Sequence, residues 1–489
     1  MLKQLGIFKD INKQFIQGKW MEGNSETIYE ITNPYDNTVV NTIKLGNKHD
    51  IDEAYAVAKR VQKSWEKTSK EEKVNVLEKT IKVIEENKDI IVESLVKEGG
   101  SSILKANVEI QLTLGLLNEA KTFPYRMEPK IEKSQIPGKE NHIFREAAGV
   151  VSVISPFNFP FYLSMRSIIP ALFTGNSVVH KPDLQTPISG GTIIGKIFEL
   201  ASLPQGVLNV VVVDINEIGD YFVEHSTPRI ISFTGSTAVG LHIGSVATKS
   251  LKRVSLELGG NSPFIVLKDA DVNKAVEASI FGKFLHQGQI CMCINRIFVH
   301  KDLYPDFVEK FVQKASQLPY GDPSNPDNII GPLINEKQII KILDLVANAK
   351  TEGANVALEG QKIGNILTPT VLTEVNNEMN IAQNEIFGPV ASIIPFEDDN
   401  EVIEIANNTN YGLSASIFTS NLDKGIEFAR NIETGMCHIN DQTINDEPTV
   451  PFGGEKLSGM GRFGGDWGIE EFTTMKWVSV QKEYREFPF

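Results

Sequence analysis

Two side chains near the middle of the chain have the types that covalent catalysis requires. Cys291 follows an apolar, helix-like run in the segment GQIC (288–291). Glu257 ends a strand-like run in the segment LELGG (256–260). A thiolate attacks carbonyl carbons, and a carboxylate takes up protons or activates water. Taken singly, such a glutamate is more often an ion-pair partner, and such a cysteine is more often an inert core thiol.

The chain around these residues alternates between strand-like and helix-like segments. Strands are expected over 149–154, 177–181, 207–213 and 229–233, with helices over 161–173, 186–200, 216–224 and 236–248. Such alternation predicts right-handed βαβ units and a parallel sheet, whose ligands bind beyond the carboxyl ends of the strands. A second α/β unit is expected over 260–459, with strands at 263–267 and 296–300 and helices at 271–286, 303–316 and 335–350.

Polar features follow the first, second and fourth of these strands. Asn158 offers an amide donor to an oxyanion, or it serves only as a turn residue before Pro160. Lys181 can donate to ribose hydroxyls, or it is a solvated surface lysine. Gly235 relaxes a strand-to-helix turn, and Ser236 can cap a helix whose free N–H groups favour phosphate. All of them would lie at the edge of the sheet where ligands bind.

A helical layer and a hairpin precede the alternating region. Helices are expected over 51–65, 70–98 and 102–123, and a capping box of Asp50 and Glu53 would open the first. The helical pattern stops over 128–147, which is typical of a hairpin, and the tail 476–482 is strand-like and its expected partner.

Composition excludes several classes of protein. The 489 residues carry a net charge of −14 and no window rich in Lys and Arg, so nucleic acid is not an expected partner. The N-terminal segment MLKQLGIFKDINKQF has no signal-peptide core, and no apolar run approaches the ~18 residues of a membrane helix. Membrane is therefore not an expected partner either.

The cysteines favour a reducing compartment. Cys291, Cys293 and Cys437 cannot all pair within one chain, so the cytoplasm is the expected location. Their spacing, even with His438 included, is not that of a zinc finger, and no metal is expected.

Several separated segments resemble one enzyme family. LELGG together with GQIC resembles the paired active-site signatures of the aldehyde dehydrogenase superfamily. EIFGP (385–389) and PFGGEKLSGMGR (451–462) are further family segments, and six motifs occur in the expected order between Asn33 and Gln481. Within the superfamily the chain is most similar to the benzaldehyde, vanillin and salicylaldehyde dehydrogenases, on the segments NFP (158–160), LSMR (163–166), QICM (289–292) and GRFGG (461–465).

The resemblance implies a fold and its division into parts. The implied class is α/β, with a Rossmann-like parallel-sheet cofactor domain, a second α/β catalytic domain and a small β oligomerisation arm. The implied boundaries are 1–127 with 148–259 for the dinucleotide-binding domain, 260–459 for the catalytic domain, and 128–147 with 474–489 for the arm. The family uses this arm to assemble, so a homodimer or homotetramer is expected.

The resemblance also implies a mechanism. Cys291 attacks the aldehyde, and Asn158 holds the oxyanion together with the Cys291 backbone N–H. The adduct gives hydride to the nicotinamide and becomes a thioester, which Glu257 hydrolyses by activating water. Family members that transfer the acyl group to coenzyme A generally lack this glutamate, so hydrolysis is expected. A disulfide between Cys293 and Cys291 is a hypothesis that the residues leave open.

The implied cofactor is NAD, with NADP as the alternative. The residues that match the family's cofactor site are Ile154, Ser155, Pro156, Phe157, Lys181, Asp183, Gly235, Ser236, Val239, Leu258, Gly259, Glu385 and Phe387. Leu184 stands where the family often has a glutamate for the ribose 2′-hydroxyl, which removes repulsion against a 2′-phosphate. Asp183 can accept from that hydroxyl instead, so NAD is favoured. Without the resemblance, Glu385 and Phe387 would be a strand-entry glutamate and a core phenylalanine.

The implied substrate is a hydrophobic, aromatic aldehyde. Besides Phe157, the residues expected around it are Phe159, Leu163, Arg166, Ile290, Met292 and Phe452. Arg166 either meets a polar substituent of the substrate or pairs with a buried acid. A semialdehyde or aliphatic aldehyde dehydrogenase is the alternative, although a semialdehyde pocket should hold more cationic residues. A non-catalytic binding protein of the same fold is a further alternative.

Overall fold

The computed structural model describes residues 8–489. The prediction that the N-terminus lacks a signal-peptide core falls partly on residues 1–7, which lie outside the described residues. No helix within residues 8–489 is both long enough and apolar enough to cross a membrane.

The strands of the described chain make two large sheets and several small ones. In chain order they are β1 (Gln14–Ile16), β2 (Lys19–Met21), β3 (Ile28–Thr32), β4 (Val39–Lys44), β5 (Lys130–Lys133), β6 (Lys139–Ala147), β7 (Val150–Ile154), β8 (Ser177–Lys181), β9 (Leu208–Val210), β10 (Ile230–Thr234), β11 (Arg253–Glu257), β12 (Ser262–Val266), β13 (Ile294–His300), β14 (Asn355–Leu358), β15 (Lys362–Ile363), β16 (Ile366–Leu367), β17 (Thr370–Thr373), β18 (Val390–Phe396), β19 (Tyr411–Gly412), β20 (Ser414–Phe418), β21 (Met436–Ile439), β22 (Glu455–Lys456), β23 (Gly459–Met460) and β24 (Thr473–Gln481).

Helices cover the faces of the two large sheets. They are α1 (Lys48–Glu66), α2 (Lys70–Glu86), α3 (Lys88–Gly99), α4 (Ile103–Ala120), α5 (Phe123–Arg126), α6 (Pro160–Phe173), α7 (Ile193–Leu200), α8 (Ile215–Ile218), α9 (Tyr221–Glu224), α10 (Thr237–Thr248), α11 (Val272–Phe284), α12 (Tyr304–Ser316), α13 (Glu336–Glu352), α14 (Asn380–Gln383), α15 (Asp399–Asn407), α16 (Leu422–Ala429) and α17 (Gly465–Glu471). A π-helical turn at Ile188–Thr192 precedes α7, and a 3-10 turn at Leu285–Gly288 follows α11.

The first large sheet contains the predicted βαβ units. Its order is β2-β1-β9-β8-β7-β10-β11-β23, and the central strands β9, β8, β7, β10 and β11 are parallel. Since their carboxyl ends lie on one edge, Ile154 pairs with Lys181 and Thr234 pairs with Glu257. The expected sheet is thus confirmed, with antiparallel additions from β1 at one edge and β23 at the other.

The second large sheet carries the rest of the chain's parallel strands. Its order is β14-β17-β18-β13-β12-β20-β21, and only the β14 edge pair is antiparallel. Strand β13 is buried along its whole length, as expected for a strand covered on both faces. The α/β fold class is confirmed.

The hairpin and the tail strand form a third, smaller sheet. Strand β6 pairs antiparallel with β5 on one side and with β24 on the other, from Thr473–Ala147 to Gln481–Lys139. The tail is therefore the partner of the hairpin, as predicted. The division of the chain into domains at the predicted boundaries stays a prediction.

Some predicted element boundaries are wrong. Helix α1 begins before Asp50, because Asn47 caps it and the Asp50 carboxylate returns a hydrogen bond to the Asn47 N–H at 2.8 Å. The predicted capping box of Asp50 and Glu53 is therefore one turn too late. The helix expected over 70–98 is broken at Asn87 into α2 and α3.

Candidate active site

Cys291 lies in a tight loop between α11 and β13. The 3-10 turn before it has left-handed backbone at His286 and Gln287, with φ of 52° and 55°, which is strained for residues with a side chain. A Cβ at Gly260 would lie 2.2 Å from the Cys291 carbonyl oxygen. The second glycine of LELGG is therefore required by the close approach of the cysteine loop.

Glu257 ends β11 and is buried, with an exposed fraction of 2%. Burial raises the pKa of its carboxyl to about 8, while the Arg166 guanidinium opposes that shift. Arg166 Nη2 lies 3.5 Å from Glu257 Oε2, and Oε1 has no hydrogen-bond partner. A buried carboxyl with a pKa near neutrality is suited to taking and releasing protons.

Asn158 connects the first strand end to the cysteine loop. Its Nδ2 donates to the Gln289 carbonyl at 2.9 Å, and the side chain is buried. Helix α6 begins just after it, and the Glu109 carboxylate accepts the N–H groups of Phe161 and Tyr162 at 2.7 and 2.9 Å. The amide donor is thus held between a capped helix and the residue two positions before Cys291.

The thiols of the described chain are all free. Burial raises the pKa of Cys291 to about 12, and Arg166 opposes the shift while Glu257 adds to it. The resting thiol is therefore protonated, and attack on a carbonyl requires a base nearby. The Cys293 Sγ lies 3.3 Å from the Lys283 carbonyl oxygen and is buried. The disulfide between Cys293 and Cys291 stays a hypothesis.

A cavity of about 130 Å³ lies on one side of Cys291. Among the predicted cofactor residues it is lined by Pro156, Phe157, Gly235, Ser236, Leu258, Gly259, Glu385 and Phe387. Glu385 Oε1 accepts the Gly260 N–H at 3.0 Å, and a Cβ at Gly259 would lie 2.7 Å from Oε2. The carboxylate is therefore fixed at the cavity wall, where it can accept from ribose hydroxyls. Phe387 packs edge-on against Phe157 with ring centres 6.0 Å apart.

The remaining predicted cofactor residues lie along the same sheet edge but do not line this cavity. Ile154 pairs with Lys181 where β7 and β8 end. The Ser155 hydroxyl bonds to His180 and Ser164 at 2.8 and 2.7 Å, so it is already used within the fold. Val239 lies in the first turn of α10 and is 47% exposed.

The turn into α10 suits a dinucleotide phosphate. Ser236 is the N-cap of α10, and its side chain makes no capping hydrogen bond, so the first N–H groups are free for an anion. A Cβ at Gly240 would lie 2.2 Å from Leu258 Cδ2, which shows that the helix packs directly on the LELGG turn. Together with the fixed Glu385 carboxylate, these groups fit a nicotinamide dinucleotide.

A second cavity, of about 160 Å³, lies on the other side of Cys291. Of the residues expected around the substrate, Phe157 lines only the first cavity, and the others line this one: Phe159, Leu163, Arg166, Ile290, Met292 and Phe452. The guanidinium carbon of Arg166 lies 4.3 Å from the Phe452 ring centre. Arg166 Nη1 also donates to Asp446 Oδ2 at 3.1 Å. Of the two interpretations of Arg166, its pairing with buried acids is the one that the structure contains.

Cys291, Asn158 and Leu163 line both cavities. A molecule in one cavity would therefore meet a molecule in the other at the thiol. This arrangement can bring a carbonyl carbon to Cys291 from one side and an acceptor of its hydride from the other.

Sequence reasoning missed several residues of these walls. Tyr162 precedes Arg166 by one helical turn, and that spacing could have indicated it. Gln338 and Lys341, three residues apart on α13, line the cofactor cavity, and the predicted helix could have indicated them too. Asp446 lies in an irregular segment with no periodicity, so no pattern pointed to it. Among residues 8–489, no three His, Cys, Asp or Glu side chains are grouped to hold a metal ion.

Comparison with known proteins agrees with this geometry. The chain belongs to the aldehyde dehydrogenase family, whose model matches residues 20–478. It is 53% identical over 482 residues to benzaldehyde dehydrogenase YfmT of Bacillus subtilis, covering 99% of each chain. It is 46% identical over 475 residues to vanillin dehydrogenase of Corynebacterium glutamicum, covering 97% of this chain and 98% of the relative. The crystal structure of an NAD-dependent benzaldehyde dehydrogenase from Corynebacterium glutamicum matches with a TM-score of 0.90 and 43% identity over 98% of both chains. The family prediction is confirmed, and the chain is an enzyme.

Proposed function

We propose that this enzyme oxidises aromatic aldehydes to carboxylic acids with NAD. The observation that carries the proposal is the position of Cys291 at the boundary of two cavities. The substrate-side cavity, of about 160 Å³ and largely apolar, is close to the ~150 Å³ apolar cavity that binds benzene in an engineered protein. Relatives named benzaldehyde and vanillin dehydrogenase support the same class of substrate.

Cys291 is the proposed nucleophile. Its thiol gives its proton to the ionised Glu257 carboxylate, which lines the same cavity, and its sulfur bonds to the aldehyde carbon. Negative charge then lies on the former carbonyl oxygen. The Asn158 amide donates to the Gln289 carbonyl at 2.9 Å and lines both cavities together with Cys291, so it is the proposed donor to that oxygen. Removing such a donor costs about 10²–10³ in kcat in known enzymes.

Glu257 is the proposed base for hydrolysis. When bound, NAD would supply the acceptor for the hydride of the cysteine adduct. Glu257 releases the thiol proton to solvent, its carboxylate takes a proton from water, and the hydroxyl oxygen bonds to the thioester carbon. The carbon–sulfur bond breaks, which releases the carboxylic acid and restores the thiolate.

The groups proposed to hold NAD are Glu385 at a ribose, Phe387 beside the nicotinamide, the α10 turn at a phosphate and Lys181 at the adenosine ribose. Asp183 supports NAD over NADP, because its carboxylate lies beside Lys181 and would repel a 2′-phosphate. Its Oδ1 accepts the Gln185 N–H at 2.8 Å, which fixes the side chain there.

Assembly and location are also proposals. Strand β24 exposes Met475, Trp477 and Val480 on the three-stranded sheet, which supports a homodimer or homotetramer built through this arm. The free thiols support a reducing cytoplasm.

The test is reduced-nicotinamide absorbance with benzaldehyde, hexanal and succinic semialdehyde, each with NAD and NADP. Benzaldehyde with NAD should give the highest kcat/KM, by about tenfold or more over succinic semialdehyde, whose carboxylate is costly to bury. Cys291→Ala should lower kcat by about 10³-fold or more, whereas the matched thiol variant Cys437→Ala should not. A higher kcat/KM for succinic semialdehyde would refute the aromatic substrate, and activity of Cys291→Ala would refute the nucleophile.

A further inference from the structure

We infer that Arg166, Asp446 and Glu257 form one buried charge network in which Arg166 and Asp446 are positioning residues that set when Glu257 ionises. The inference rests on the proposed function of Glu257 as the base for hydrolysis. Arg166 and Asp446 would control hydrolysis of the thioester without contacting the substrate carbon.

The geometry places one cation between two carboxyl groups. Arg166 Nη1 donates to Asp446 Oδ2 at 3.1 Å, and Nη2 lies 3.5 Å from Glu257 Oε2. The exposed fractions of the three side chains are 3%, 6% and 3% for Arg166, Asp446 and Glu257. The rings of Phe452 and Phe463 lie 4.3 and 4.9 Å from the guanidinium carbon, so the arginine is held in place by packing.

The hydrogen bonds stabilise a negative charge on Asp446 more than one on Glu257. Burial raises the pKa of Asp446, but the Arg166 guanidinium and the hydrogen bonds from Tyr162 and Arg166 oppose that shift by favouring its ionised form. Glu257 has only the longer contact to Arg166, and its Oε1 has no partner. One guanidinium neutralises one carboxylate, and a second buried negative charge is costly. Glu257 is therefore the member of the pair that carries the proton at rest.

The same geometry prepares Glu257 to lose that proton. Nε and Nη2 of Arg166 are buried and make no hydrogen bond. An ionised Glu257 can accept a hydrogen bond from Nη2 after a small movement, so a donor that would stabilise its negative charge is already in place. The other charged groups that act on Glu257 are Arg462 and Glu471, of opposite sign, and the Cys291 thiol lies on the same cavity wall.

Two substitutions should shift the ionisation of Glu257 in opposite directions. Asp446→Asn removes the competing negative charge, so Arg166 can form an ion pair with Glu257 alone and Glu257 should ionise at lower pH. Arg166→Met removes the cation, so Glu257 should ionise at higher pH. Arg166→Lys keeps a cation and should restore the wild-type value. Loss of packing alone would not give shifts of opposite sign.

The experiment measures the pH profile of para-nitrophenyl acetate hydrolysis by the full-length protein without NAD. This activated ester acylates the thiol directly in an initial burst, and the slower rate after the burst reports hydrolysis of the thioester at Glu257 without hydride transfer. The acid limb should move by about one pH unit, downward for Asp446→Asn and upward for Arg166→Met. Glu447→Gln, which removes a solvent-exposed acid from the neighbouring position, is the matched control and should move it far less.

Shifts of the same sign in both variants, or no shift in either, would overturn the inference. If Asp446→Asn does not fold, Tyr162→Phe serves in its place, because losing its bond to Asp446 also favours charge on Glu257 and should lower the limb. No ester hydrolysis by the wild type would overturn the role of Glu257 and the network with it. Ester hydrolysis with the expected shifts but no oxidation of any aldehyde would leave the network standing and refute the proposed function instead.

Discussion

The most direct test of the site geometry is Gly260→Ala, since Gly260 is the point where the first sheet's turn meets the cysteine loop. The added Cβ would lie 2.2 Å from the Cys291 carbonyl oxygen, whereas Cβ atoms essentially never approach closer than 3.0 Å. Both partners are backbone, so the turn and the loop must separate by about 1 Å. Misplacement by about 1 Å costs roughly 10²-fold in rate. Overpacking costs about 1–3 kcal/mol of stability.

The matched control is Gly115→Ala in the interior of α4. A Cβ there would lie 3.8 Å from Pro448 Cγ, an ordinary contact, so this variant should gain about 0.5–1 kcal/mol. Steady-state kinetics with benzaldehyde and NAD, together with urea unfolding, would be measured for both variants. If Gly260→Ala kept kcat/KM within about threefold of wild type, the close approach could not be what positions Cys291.

Further expectations follow from the same contacts. The rate of ester hydrolysis should rise with pH through about 8, because Glu257 must lose its proton to act as a base, and a rate independent of pH would contradict this. Asp183→Asn should lower the NAD-to-NADP ratio of kcat/KM by about tenfold, and an unchanged ratio would remove Asp183 from cofactor selection. Met292→Ala removes part of the apolar wall, so it should lower the free energy of unfolding in urea by about 2–5 kcal/mol. It should also raise the kcat/KM of bulkier ring-substituted aldehydes relative to benzaldehyde. Loss of stability without that change in selectivity would place Met292 outside the pocket.

Much of the fold was predictable because its signals are local. Strands β7, β8 and β10 are short segments rich in Val and Ile that alternate with helical segments, and this alternation indicated a parallel sheet. Boundaries that depend on side-chain capping were less predictable. Asn47 and Asp50 lie three residues apart in a segment with several polar residues, and only the bond between them shows where α1 begins.

The candidate site was predictable to the extent that its residues end regular elements. Glu257 ends β11 and Asn158 follows β7, and the resemblance indicated their chemistry. The wall formed by irregular chain was not predictable in this way. Asp446 is separated from Arg166 by 280 positions, and its pairing depends on the path of a segment without periodicity. The pairing of Arg166 with buried acids could therefore be seen only in a three-dimensional contact, and its role toward a substrate stays a prediction.

The two reacting groups belong to different sheets, and this explains why glycines surround them. Glu257 ends a strand of the first sheet, while Cys291 precedes β13 of the second. Their separation is fixed by the hydrogen bond from Asn158 to Gln289 and by the contact of the turn 258–260 with the cysteine loop. A Cβ at Gly259 would collide with Glu385, and a Cβ at Gly260 would collide with Cys291. At Gly260 the contact is with the Cys291 backbone, and a side chain there would prevent it, whereas at Gly259 the contact is with the carboxylate end of Glu385. The turn thus brings the cofactor-side carboxylate, the base and the nucleophile together. The glycine pair is therefore as much a part of the catalytic geometry as the groups that react.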